Sequence, residues 1–438
     1  MDLYDAGRIS RGRISQRDFM VPSPAEPDME DPLSRVAVRG RPKEFGRSMM
    51  DNAHDGQSWR VGVLFSQSGV TSGVERTQLQ ATLLAIDEVN AAGGVLGRPL
   101  EPVIYDPESN PKLFRTLAER LLGVDRVRLV FACYMSSSRK AVLPAIEAYR
   151  GLLFYPTLYE GFEYSRHCIY TGAAPNQNSA QLARFLFEHY GNRFLLVGSN
   201  YVYPYESNRV MADLVRQSHG KVLDELYVPL NARAEDFSRT IAVIGKTSPD
   251  VIFSTVVGSS TAEFYKAYRA AGFDPARQPI ASLTTSEAEV AQMPAEAAEG
   301  HITAAPFFET LGTPEALRFV AAYKARYGAD AAVPAAAEAA YFQVHLAAAA
   351  IARAGSDDPE RVLPELSEIE FAAPQGRVRV DRENNHTHLW PRVARLDAQG
   401  RFQVIWQSGV RVRPDPYSMV QNLDGWSADG LAALADPG

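Results

Sequence analysis

The apolar residues of this chain fall into short runs of strand length separated by helical repeats, starting at Arg60 and interrupted once near residues 171–175. The run VGVLF leads through Ser66-Gln67-Ser68-Gly69 into an amphipathic stretch, Thr77 to Ala92, closed by Gly93-Gly94. A second strand (Leu100 to Asp106) and helix (Lys112 to Leu122) come next, then an unbroken apolar run, Val127 to Cys133. Tyr134-Met135 ends that run, and Ser136-Ser137-Ser138 stands where the next helix should be capped. A fourth strand, Leu152 to Tyr155, carries Pro156-Thr157-Leu158-Tyr159-Glu160-Gly161 at its carboxyl end. After a short strand, Ile169 to Thr171, and Gly172-Ala173-Ala174-Pro175-Asn176, the alternation restarts. It runs through helix Gln177 to Tyr190, strand Arg193 to Gly198, helix Glu206 to His219, strand Lys221 to Pro229 and helix Glu235 to Gly245. Strand Val251 to Val256, helix Ser260 to Ala271 and strand Pro279 to Leu283 complete it. Short strands alternating with longer helices predict parallel sheets covered on both faces.

Two such series predict an α/β fold of two Rossmann-like lobes joined by a hinge that the chain crosses several times. The first lobe is expected over 59–172, completed by about 302–375; the second over 173–301, completed by about 376–428, with 429–438 a tail. The later segments are too few for a third domain: strand Ile302 to Ala305, helices Pro314 to Tyr327 and Pro334 to Ala354, and strands near Val378, Val393 and Phe402 to Trp406. Glu338, Gln343, His345 and Arg353 interrupt Pro334 to Ala354, which reads as a packed helix and not a membrane span. Residues 1–58 scatter single apolar residues among charges and prolines and read as a disordered extension.

Composition narrows the function. The 438 residues exceed one ordinary core, and 46% hydrophobic with 22% charged residues is the balance of a soluble globular protein. A net charge of −7 without a basic stripe argues against direct nucleic-acid binding. The amino terminus lacks a basic, apolar and small-residue series, and Asp2, Asp5 and Asp18 are unlike a transit peptide, so cytoplasmic residence is expected. Cys133 and Cys168 match no zinc spacing, and Cys133 reads as a buried thiol. Neither GxGxxG nor GxxxxGK[ST] occurs at a strand-to-helix turn, so no cofactor is expected. His386-Thr387-His388 reads as a surface turn. Ser137 to Lys140 spells SxxK, which a serine run followed by exposed basic residues explains as well as acyl-transfer chemistry. Cys133, Glu160 and Lys140 could serve amide hydrolysis only if the fold joined them. No residue is assigned a catalytic role, and the protein is expected not to be an enzyme.

The candidate site lies elsewhere. Tyr134-Met135-Ser136, Tyr155-Pro156-Thr157, Ser199-Asn200-Tyr201-Val202-Tyr203 and Thr284-Thr285-Ser286 all stand at carboxyl ends of strands, where open α/β sheets bind small ligands. These turns carry tyrosines and hydroxyls, not acids or histidines. Such a lining satisfies a carbonyl and an amide NH2 without a counter-ion, so a small uncharged solute is expected.

The stretches VGVLFSQSGVT, CYMSSSRKAVLP, FYPTLYEGFEYS, GAAPNQNSA, SNYVYPYESNRVM, FSTVVGSSTAEFY, ASLTTSEAEV, APQGRVRVDRENNH and RPDPYSMVQNLDGWSA resemble the AmiC-type amide-sensing negative regulators of aliphatic amidase operons. These belong to the urea and short-chain amide branch of type I periplasmic binding proteins, and the resemblance runs from about Trp59 to Ala428. It implies a two-lobed cleft closing on a short-chain aliphatic amide or urea. It also implies an antiterminator-type regulatory protein as partner, and association of the chain with itself stays open. Carried over, Ser136 and Thr157 hold the amide group, Tyr134 and Tyr155 line the first lobe, and Tyr201 and Tyr203 close from the second, with Val257 and Thr284 as further wall positions. Leu158 stands where the amide regulators have proline, which bears on the chain length of the amide. The alternative from the same fold is the solute-binding component of a urea or amide ABC transporter.

Overall fold

Fifteen strands and twelve α-helices form three sheets and their covers in the computed structural model, which describes residues 58–417. The expected extension, apart from Ser58, and everything after Tyr417 lie outside these residues. The strands are β1 (Trp59–Leu64), β2 (Leu100–Tyr105), β3 (Leu129–Ala132), β4 (Leu152–Tyr155), β5 (Cys168–Tyr170), β6 (Arg193–Ser199), β7 (Lys221–Val228), β8 (Val251–Thr255), β9 (Ile280–Ser282) and β10 (Ile302–Ala305). They continue as β11 (Glu370–Ala373), β12 (Gly376–Val380), β13 (Thr387–His388), β14 (Arg392–Leu396) and β15 (Phe402–Gln407). The helices are α1 (Ser72–Ala91), α2 (Pro111–Gly123), α3 (Ser136–Ala148), α4 (Ser179–His189), α5 (Val202–Gln217) and α6 (Ser238–Thr247). They continue as α7 (Ser259–Ala270), α8 (Glu287–Val290), α9 (Ala295–Ala298), α10 (Pro314–Tyr327), α11 (Ala335–Ala354) and α12 (Pro359–Leu366).

The first lobe is built on a parallel sheet of order β2-β1-β3-β4-β5. β3 and β4 are buried along their whole length, as their unbroken apolar sequences require of central strands covered on both faces. Local chemistry starts the helices: Asn110 accepts from the backbone of Lys112 and Leu113 ahead of Pro111, and Thr313 and Asp358 cap α10 and α12 ahead of Pro314 and Pro359. Helix α11 is long and apolar enough to cross a membrane, yet Phe342, Val344, Leu346 and Ile351 lie in the first lobe's core.

The second sheet has the order β15-β14-β10-β9-β8-β6-β7. Residues 302–305, expected with the first lobe, belong here: β10 pairs parallel with β9 and antiparallel with β14. Conversely β12, expected with the second lobe, forms a small antiparallel sheet with β11 and β13. Its Val378 and Val380 pack into the first core. Both shifts have one cause: alternation in so short a strand says that it is a strand but not which neighbours it pairs with, and β10 lies between β9 and β14 while β12 lies between β11 and β13.

The chain passes between lobes after β5, after β10 and after β13. Buried Arg392 ties the last two of these passages together. Its guanidinium donates to the carbonyls of Pro306, Trp390 and Gln375. The lobes are closed on each other: Val74, Tyr134 and Met135 of the first pack with Ala288 of the second.

Gly258, at the turn from β8 into α7, has φ 62° and ψ −147°, a region open almost only to glycine. A Cβ there would lie 2.5 Å from the Val70 carbonyl oxygen in the opposite lobe. Gly258→Ala is therefore expected to weaken closure by about 1–3 kcal/mol. At a ligand concentration that compacts the parent protein, small-angle scattering should still report the open form; equal compaction would contradict this.

Candidate functional site

Cys133 leaves β3 with φ 72°, a left-handed turn that swings Tyr134 and Met135 off the sheet end and starts α3 at Ser136. The serines are therefore not caps. Met135 holds the capping position, with no side-chain cap bond, and Ser136 is the first helical residue. Ser136 and Arg139, three apart on the helix, share one face. That face meets the segment after β4, which carries Glu160 and Glu163.

Arg139 was expected to be exposed; it is 0% exposed. Its guanidinium lies 4.9 Å from the ring centroids of both Tyr155 and Tyr159. It donates to Glu160 Oε1 at 2.9 Å, to Glu163 Oε2 at 3.1 Å and to Ser136 Oγ at 3.3 Å. Ser136 in turn donates its hydroxyl proton to Glu160 Oε2 at 2.5 Å. Burial pushes the Glu160 carboxyl up, but the Arg139 guanidinium, the Ser136 hydroxyl and Lys140 outweigh it and hold the group below its usual value, ionised.

Seven of the eight expected residues line one small cavity between the lobes, joined by Leu158: Tyr134, Ser136 and Thr157 from the first, Tyr201, Tyr203, Val257 and Thr284 from the second. It leaves about 10 Å³ for the centre of a water-sized sphere, room for a few atoms and no more. Tyr201 precedes α5 and Tyr203 lies in its first turn; Val257 and Thr284 come after β8 and β9. Thr157 Oγ1 accepts from Gln78 Nε2 at 3.0 Å, and Thr284 Oγ1 donates to the Val256 carbonyl at 2.7 Å. The buried Tyr203 hydroxyl makes no full hydrogen bond, and the Ser207 side chain is close enough to pull its phenol partly back against burial. Burial raises the Tyr134, Tyr201 and Tyr203 phenols above their ordinary value, so all three stay protonated.

Tyr155 is the exception. It stands behind the wall, with its ring against Arg139 and its hydroxyl donating to the Tyr134 carbonyl at 2.7 Å. A tyrosine at a strand end faces the cleft only if the pleat points it there, and here the neighbouring turn takes that place. Sequence reading missed Arg139 and Gln78. The spacing of Ser136 and Arg139 was the available signal for the first; the second, two turns into α1, had none.

The chemical alternatives lose their geometry. Burial pushes the Cys133 thiol well up, with Glu75 adding to it, so it is not a nucleophile. Glu160 is committed to Ser136 and Arg139, and Lys140 reaches Glu163 at 3.2 Å. His386 and His388, expected on a surface turn, are buried beside β5. His386 uses both ring nitrogens, on the Asn384 carbonyl and the Tyr159 hydroxyl, each at 2.6 Å. Among the described residues no cluster of ligating side chains could hold a metal ion.

Residues 59–423 match a family model described as a periplasmic binding protein domain. Over 316 residues, 70% of this chain and 82% of the relative, the sequence is 25% identical to the leucine-, isoleucine-, valine-, threonine-, and alanine-binding protein of Pseudomonas aeruginosa. It is 28% identical over 119 residues to limonene hydroxylase of Geobacillus stearothermophilus, a match spanning 27% of this chain and 22% of that relative's length. Among solved structures, a solute binding protein of an ABC transporter from Rhodopseudomonas palustris in complex with p-hydroxybenzoic acid aligns with a TM-score of 0.75. Its identity is 20%, over 84% of this chain and 100% of that one. This similarity is one of fold.

Removing Arg139 leaves the buried Glu160 carboxylate with only the Ser136 hydroxyl and the more distant, part-exposed Lys140 ammonium at 3.7 Å, so Arg139→Met is expected to cost about 3–5 kcal/mol in urea denaturation. Lys140→Met, at a side chain 42% exposed, should cost no more than about 1 kcal/mol. Similar losses for both would contradict the assignment.

Proposed function

Because this chain belongs to the periplasmic binding protein family, whose members hold small ligands, we propose that it is a non-enzymatic receptor for a small uncharged amide or urea. One observation carries the reading: the hydrogen bonds of Ser136 are already assigned. Its proton goes to Glu160, and one lone pair accepts from Arg139. What Ser136 offers the cavity is its remaining lone pair, so the ligand must donate there. Across the cavity the Tyr203 hydroxyl, which makes no full hydrogen bond and has Ser207 beside it, can turn to donate to an acceptor. A donor beside an acceptor is the pattern of a primary amide. A carboxylate would set its own lone pairs against that of Ser136, close to the buried negative charge of Glu160. Because Ser136 and Tyr203 sit on opposite lobes, such a ligand bridges them and favours the closed state by the difference in its affinity for the two states.

Acetamide has four non-hydrogen atoms, so a ceiling of about −1.5 kcal/mol per atom limits its binding to about −6 kcal/mol, a dissociation constant of tens of micromolar. Two roles fit a receptor of this strength. Similarity to transporter solute-binding proteins favours delivery of the ligand to an ABC transporter. The second role is a cytoplasmic negative regulator of amidase-type genes acting through an antiterminator protein; the motifs CYMSSSRKAVLP and FYPTLYEGFEYS favour it. Fractionation of the native host separates the two, a periplasmic location favouring transport and a cytosolic one regulation.

In calorimetric titration, acetamide is expected to bind at least about tenfold more tightly than isosteric acetate, a difference of about 1.4 kcal/mol. Ser136→Ala should weaken acetamide by about 1–3 kcal/mol, the cost of an unpaired buried polar group. Equal affinities for the two ligands, or an unchanged affinity in the variant, would remove Ser136 from the site. A response to branched amino acids alone would discard the amide reading.

A further inference from the structure

A second, larger cavity adjoins the small one, with Tyr134, Thr157, Leu158 and Thr284 as the common wall. It leaves about 50 Å³ for the centre of a water-sized sphere, against about 10 Å³ next door. Val74 and Ala173 of the first lobe, Leu283 and Ala304 of the second, Phe307 of the passage after β10 and Ala336 of α11 form its walls. Its hydroxyl residues are mostly turned to the protein. Thr171 donates to Gln343, Thr284 to the Val256 carbonyl, Thr285 bonds Tyr265, and Ser286 donates to Glu289. Thr303 keeps a buried hydroxyl without a partner, and the Tyr134 side chain and the Glu287 carboxyl, which accepts from the Glu309 backbone N–H, also belong to the wall. The chamber nevertheless presents mostly carbon, although it borders a more polar cavity.

We propose that the two cavities form one binding site, in which the small cavity holds an amide head group and the apolar chamber takes an acyl tail longer than that of acetamide. This rests on the amide reading above and specifies its ligand class: primary aliphatic amides with tails of about four to six carbons, whose methylenes gain by leaving water. The chamber persists with the lobes closed, so a two-carbon amide or urea leaves apolar walls without contacts, and a longer tail fills them. Leu158 is the one aliphatic side chain in the wall the two spaces share. Its side chain has several staggered rotamers, by which it can swing aside.

The test is a calorimetric series on the full chain with acetamide, propionamide, butyramide, pentanamide, hexanamide and urea. Affinity is expected to rise about three- to fourfold per methylene from propionamide to pentanamide. A series that is flat or falls beyond propionamide overturns the chamber assignment and leaves the amide receptor standing. A series in which no amide binds overturns both. Ala336→Phe fills the chamber, and the ratio of pentanamide to acetamide affinity is the readout. The ratio should collapse toward one, and a ratio equal to that of the parent overturns the proposal. Ala336→Leu, a smaller intrusion, should lower the ratio part of the way and serves if the phenylalanine variant does not fold.

Discussion

A buried arginine holding a buried glutamate is costly, and the candidate site is built against that pair. Taking two charges out of water loses several kcal/mol per ion, recovered only through good geometry and fully used hydrogen bonds. Arg139 and Glu160 meet both conditions: the guanidinium reaches Glu160, Glu163 and Ser136 between two tyrosine faces, and the second carboxylate oxygen takes the Ser136 proton. Apolar residues could supply stability at such a place as well. What they could not supply is a serine whose hydroxyl points one way only. In the proposed reading that polarity is the pair's contribution to function, because it turns a residue that could bind a carboxylate into one that requires a donor.

The rest of the fold delivers this serine to its counterpart. The left-handed turn at Cys133 sets α3 against the segment after β4, and the parallel strands of both lobes bring their carboxyl ends to the same cleft. The crossings after β5, β10 and β13, with Arg392 bonded to carbonyls on two of them, let the lobes meet while Gly258 passes close to Val70. A small polar cavity and a larger apolar one then share the same wall, so in the proposed reading head group and tail are read by different residues.

The sequence made the strand-end turns legible because buried parallel strands leave unbroken apolar runs, and the residues just past each run stand at the cleft. Tyr134, Ser136, Thr157, Tyr201, Tyr203, Val257 and Thr284 could be placed at one cavity on that ground and through the family resemblance. Tyr155 could not be judged from its place in the run, because which side a strand's last residue faces depends on the neighbouring turn. Arg139 looked like a solvated helix residue, since the acids that bury it lie 21 and 24 positions away, a separation that carries no local pattern. Strands β10 and β12 were assigned to the wrong lobes for a similar reason: their sequences show that they are strands, and only the sheet edges show where they pair.

The most direct test of the central claim is a high-resolution structure of the complex with a primary amide, because it shows which end of the ligand faces Ser136. The amide nitrogen is expected at about 2.9–3.1 Å from Ser136 Oγ, with the Ser136 proton still on the Glu160 side and the amide oxygen toward Tyr203. An amide bound the other way round, with its oxygen on Ser136, would contradict it.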